Sequence, residues 1–275
     1  MNLSQGRYQR LRSVALTTLA VLLALAAAIG LGKAFQYTHW SGFVPVQTPT
    51  RGGKAAPTIG QLGGVAMHIP PFVADYPEFD GDPTWVHWPL HQPRRATSTS
   101  IRRFGFLLQH PSMQMVYDPS QRSKAGTALE LEADHPWLLA QAVSGEQFPG
   151  PGALRRFVRE RVPDESSWPD APPNGRKALV ELKPFAVPPP AGATAGHSHP
   201  PDDRHLAYDA QGRLLAYLAC SNDPVLPRHC LQVWSLEDQG WPVLMSVHYR
   251  RTLQADWALI QKGVTEALLA MRVSP

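Results

Sequence analysis

Three histidines and two acids fall together as His197, His199, Asp202, Asp203 and His205 in the run H-S-H-P-P-D-D-R-H. Imidazole and carboxylate are ligands for first-row metals, and a protein site needs three or four of them converging on one point. The run from Val187 to Asp203 is rich in Pro, Gly and Ala and offers no scaffold for such convergence. It reads as an exposed loop, and no metal or cofactor is assigned. Glu78, Asp80 and Asp82 stand beside Gly81 in a pattern that suits Ca²⁺, but a polar turn explains them and is preferred. His229, beside Cys230, and His248 read as packed or hydrogen-bonded side chains.

The two cysteines, Cys220 and Cys230, match neither a C-x-x-C motif nor a zinc knuckle. A structural disulfide closing a short loop is expected, which implies an oxidising compartment. Arg155, Arg156, Arg159 and Arg161 lie close together on one predicted helix. A solvated helix face is the preferred reading, with a surface for an acidic partner or anionic headgroups as the alternative. No G-x-S-x-G, H-E-x-x-H, phosphate-loop or G-x-G-x-x-G motif occurs, so no catalytic residue is assigned and the chain is not read as an enzyme.

The elements that carry these residues begin with an address. Residues 1–13 form a basic tail, and Val14 to Gly32 is an apolar run whose only polar residues are Thr17 and Thr18. As a helix it would extend roughly 28 Å, close to the thickness of a bilayer core. Arg7, Arg10 and Arg12 precede the run, which predicts a single-pass anchor over 14–33 in a bacterial inner membrane, N-terminus cytoplasmic and main domain periplasmic. A cleaved signal peptide is the alternative. Of the 26 basic residues, those three and Lys33 belong to this region, which holds no acid; elsewhere basic and acidic residues balance. A nucleic-acid surface therefore has no support.

Residues 34–60 read as a linker and 61–275 as a periplasmic domain, divisible into halves 61–162 and 176–275 with a flexible loop at 187–203. Alternation predicts strands over Gly64–Pro70, Ile101–Leu108, Pro136–Val143 and Ala178–Ala186. Arg204–Tyr208 and Arg213–Cys220 flank the turn Asp209-Ala210-Gln211-Gly212 as a hairpin, followed by strands at Cys230–Leu236 and Val243–Tyr249. A helix is expected from Pro151, with Leu154, Phe157, Val158 and Val162 on one face. A longer one is expected over Leu253–Met271, with Leu253, Trp257, Ile260, Val264, Ala267, Leu268 and Met271 as an apolar stripe. The fold class this implies is α+β: an N-terminal transmembrane helix, then an antiparallel-sheet body with packed helices, the long C-terminal one included.

Three stretches carry a family resemblance. They are Ser100-Ile101-Arg102-Arg103-Phe104-Gly105-Phe106 with His110-Pro111-Ser112-Met113, Leu218-Ala219-Cys220-Ser221-Asn222 with Cys230, and Val247-His248-Tyr249-Arg250-Arg251 with Leu253, Asp256-Trp257 and Ile260. Together they resemble membrane-anchored proteobacterial envelope proteins. The last two are similar to the C-terminal part of periplasmic immunity proteins that neutralise phospholipase-type effectors of the type VI secretion system. The chain departs from that pattern at Phe106-Leu107-Leu108-Gln109-His110-Pro111, where a more polar "FDxRYP"-like continuation belongs. The resemblance implies a non-catalytic binding protein whose partner is a secreted effector or an envelope component. A structural or assembly subunit of an envelope complex is the alternative function.

Overall fold

The computed structural model describes residues 56–82, 96–131, 134–170, 178–182, 202–222 and 229–273. Eleven strands among them form one sheet. They are β1 (Thr58–Leu62), β2 (Val65–Ile69), β3 (Asp75–Phe79), β4 (Ser100–Gln109), β5 (Gln114–Met115), β6 (Trp137–Val143), β7 (Ala178–Leu182), β8 (Asp203–Tyr208), β9 (Leu214–Cys220), β10 (His229–Ser235) and β11 (Leu244–Arg250). The order across the sheet is β2-β1-β4-β6-β11-β10-β9-β8-β7, with β3 and β5 also pairing with β4. The helices described are α1 (Pro119–Leu131), α2 (Ala153–Arg161) and α3 (Trp257–Leu269), together with short 3₁₀ turns.

This architecture corrects the expected fold class. The described residues are dominated by one large mixed sheet, not by the expected antiparallel-sheet body with packed helices and a long C-terminal helix. β1 runs parallel to β4, and β6 pairs with β11, so strands from both expected halves share one sheet. The C-terminal helix is also shorter than its apolar stripe predicts. Residues Arg251–Asp256 form a 3₁₀ turn, tethered where Arg251 reaches sideways to Ser221 and Asn222, and the α-helix starts only at Trp257. No helix among the described residues is long and apolar enough to cross a membrane. The Val14–Gly32 run lies outside the described residues, as do most of the 34–60 linker and of the 187–203 loop. The end of the expected linker is part of the fold, because β1 starts at Thr58.

Two apolar layers cover the sheet. On one face Trp257, Ile260, Val264, Ala267, Leu268 and Met271 join Phe104, Phe106, Leu138, Leu218, Val247 and Tyr249 in the larger core. Buried polar side chains fix the docking of α3. Tyr249 donates its hydroxyl hydrogen to Gln232 Oε1 at 3.0 Å, Gln232 Nε2 donates to the Trp257 carbonyl at 3.1 Å, and Trp234 Nε1 donates to Thr265 Oγ1 at 3.1 Å. Since an unpaired buried polar group costs more than a made bond returns, this set selects one position of the helix on the sheet. On the opposite face Ala153, Leu154, Val158 and Val162 of the α2 segment pack on Leu206, Tyr208, Tyr217, Val233 and Leu244.

β2 ends the strand order, and its outer side is met by the C-terminal segment. His68 N–H donates to the Met271 carbonyl at 2.8 Å, Val273 N–H donates to the Ala66 carbonyl at 2.9 Å, and Met67 faces Arg272 as an antiparallel bridge.

Candidate functional site: the α2 face

The local sequence explains why α2 starts and stops where it does. Gly152 precedes it with φ of 73°, a left-handed turn that side chains disfavour, and supplies no side-chain cap. The cap comes from elsewhere: Glu237 accepts from the backbone N–H groups of Gly152 at 2.9 Å and Ala153 at 3.0 Å. Its carboxylate is steadied by the Ser235 hydroxyl at 2.9 Å. Past the helix, Trp168 folds back to donate its indole N–H to the Val162 carbonyl at 3.1 Å.

The four arginines singled out in the sequence sit on this helix, and the structure divides them by what holds them. Arg155 and Arg159 both reach Glu165, Arg159 Nε at 2.6 Å. Hydrogen bonds from these guanidiniums hold the Glu165 carboxyl below its ordinary pKa. Arg155 also lies over the Trp168 ring at 5.8 Å. Arg156 and Arg161 are anchored differently, by carbonyl oxygens. Arg156 donates to Pro149 at 2.7 Å and Pro151 at 3.0 Å. Arg161 donates to the Phe157 carbonyl at 3.1 Å, with its guanidinium stacked 3.5 Å from the Phe157 ring centre.

Arg204 of β8 joins the set by donating to the Arg161 carbonyl at 3.2 Å. Tyr217 lies beneath, its ring edge-on to Phe157 at 5.9 Å. Burial raises the Tyr217 pKa, while the nearby charges of Arg204 and Arg161 work against that rise. Burial also pushes Arg161 down, and the like charge of Arg204 adds to the effect. Next to them Asp202 is raised by burial, and His229 is lowered by it. The only sequence signal for Arg204 was its place at the start of a strand. Its partnership with Arg161 depends on a packing that no local pattern encodes.

The other candidate residues are placed as follows. Cys220 and Cys230 form the expected disulfide, directly opposite each other on β9 and β10. Beside it Arg251 pairs with Asp203, and Asn222 Nδ2 donates to Asp203 Oδ1 at 2.7 Å. Glu78 pairs with Arg102 at 3.0 Å and with Arg103, Asp82 accepts from the Phe79 N–H at 2.9 Å, and Asp80 accepts from the Glu146 N–H at 3.2 Å. All three acids thus serve turns and strand ends. His205 is described, within reach of Gln254 Nε2 at 3.4 Å, whereas His197 and His199 lie outside the described residues. No group of three or more potential metal ligands gathers among the described residues.

No family model matches the chain, and no curated protein matches it. Among solved structures the chain is similar to Smlt3025, an immunity protein of the Stenotrophomonas maltophilia type IV secretion system. The two share 12% identity at a TM-score of 0.45, over 82% of this chain and 100% of that one.

Proposed function

We propose that this chain is a non-catalytic binding protein that acts outside the cytoplasm and protects its host by occluding a secreted effector, as an immunity or accessory protein does. The observation that carries this reading is the α2 face. Its arginines are held in fixed positions by Glu165, by backbone carbonyls and by the Phe157 and Trp168 rings. Arginine and aromatic side chains dominate binding energy at protein interfaces, and groups already ordered in the free protein lose little freedom on association. The disulfide supports a location in an oxidising compartment. The C-terminal resemblance favours a phospholipase-type effector of a type VI system as the partner.

The test is genetic. Deleting the gene in the producing bacterium should make it sensitive to neighbouring cells of its own kind. The intact gene should restore protection, and a copy carrying Arg161→Glu and Arg204→Glu should not. A deletion strain no more sensitive than its parent sinks the immunity reading.

A further inference from the structure

On the α2 face, Arg155 and Arg159 have a carboxylate between them, whereas Arg204 donates to the Arg161 carbonyl and lies near enough for its charge to act on the Arg161 guanidinium, itself held by the Phe157 carbonyl. Bringing two guanidiniums together in a half-buried place is unfavourable unless something anionic joins them. The acids on hand compensate only partly. Glu160 is 3.8 Å from Arg161 but its side chain is 74% exposed; Asp202, two residues before Arg204, feels that arginine's charge, yet among the described residues no carboxylate lies within salt-bridge distance of Arg204. The Arg161 guanidinium is fixed flat on Phe157, and the side chain retains 40% exposure, so part of its donor set faces outward.

We propose that Arg161 and Arg204 form a seat for a carboxylate, carried by an acidic side chain of the protein partner. Two planar guanidiniums supply paired N–H donors that match the two oxygens of a carboxylate. The geometry of the seat stands by itself; that its occupant belongs to a protein rests on the binding function proposed above.

The seat is tested on the purified full chain with acetate as the probe. Acetate replaces chloride at constant ionic strength while thermal unfolding is followed. A saturable rise in Tm is expected for the natural chain and for a Lys262→Gln control on the far helix. Arg161→Gln and Arg204→Gln should each weaken the apparent affinity about tenfold or more, the loss of a charged hydrogen bond. Should Arg204→Gln fail to fold, Arg204→Lys keeps the charge, loses the fork, and should still weaken acetate binding. Absence of a saturable shift in the natural chain, or a shift that survives both arginine substitutions, overturns the seat. A response to inorganic phosphate with none to acetate also overturns it, in favour of a phosphoryl ligand. Because this assay uses no partner, acetate binding without protection of cells removes the immunity reading alone, and protection without acetate binding removes the seat alone.

Discussion

Glu237, in the turn after β10, holds the backbone N–H of Ala153 at 3.0 Å and so closes the N-terminus of a helix 84 residues earlier in the chain. The first turn of α2 contains no acid of its own. A carboxylate there satisfies two otherwise open N–H groups and faces the positive end of the helix dipole. Glu237→Ala should destabilise the protein by about 1–2 kcal/mol in urea unfolding, the range for a lost helix cap. Glu237→Gln, which keeps the acceptor oxygen but not the charge, should cost less. Equal stability of all three chains would show that the cap contributes nothing.

Arg122 of α1 is almost wholly buried, at 1% exposure, and joins two strands that lie end to end along β4. It donates to the Val116 carbonyl at 3.1 Å and pairs with Asp75 at the start of β3. Burial raises the Asp75 pKa, and the arginine's charge opposes that rise. Arg122→Met alone should cost about 3–5 kcal/mol, because it strands a buried carboxylate. Adding Asp75→Asn should recover a good part of the loss. A double variant as unstable as the sum of the single variants would argue against a direct pair.

His248 supplies a pH dependence whose sign is fixed by burial. Its surroundings hold the folded-state pKa down to about 4 from 6.5, with the nearby His229 pushing the same way. The unfolded chain therefore takes up a proton first as the solution is acidified. Stability should be insensitive to this group above pH 6.5, fall as the pH drops toward about 4, and level off below. The expected loss is on the order of 1–3 kcal/mol, since the side chain keeps some solvent exposure. His205 and His229 are lowered as well and add in the same direction. His248→Asn should flatten the profile; an unchanged profile would transfer the effect to the other histidines.

The Cys220–Cys230 bridge spans ten positions and joins neighbouring strands. A loop of that length is worth about 2–3 kcal/mol through restriction of the unfolded chain. Replacing both cysteines with serine should lower stability by that amount, and reductant should then have no further effect.

Strands β8 to β11 were legible in the sequence because short apolar, strand-forming runs are bounded by turn residues, as at Asp209–Gly212. The apolar stripe from Leu253 to Met271 was legible too, and every member is buried. Its extent as an α-helix was not, because the side-chain reach of Arg251 toward Asp203 and Asn222 is non-local. β3 carries Pro77, a left-handed Tyr76 and shifts of register, so no period could mark it. The helix α1 has a largely polar sequence, and its key contact is a buried arginine that composition would place in solvent. The parallel pairing of β1 with β4 depends on chain path, on which periodicity is silent. On the α2 face the four helical arginines were visible from their spacing, but which of them are neutralised depends on Glu165 and Arg204, brought in by the fold.

The segment that lines the outer side of β2 has a bearing on synthesis. The β1–β2 hairpin leaves the ribosome early, yet Met271–Val273, which engage Ala66 and His68, follow roughly two hundred residues later. Until then the hairpin presents open main-chain donors and acceptors, the feature by which strands of separate molecules find each other. A chain in which Met271–Val273 have not yet docked therefore carries an open strand edge, and docking of that segment closes it.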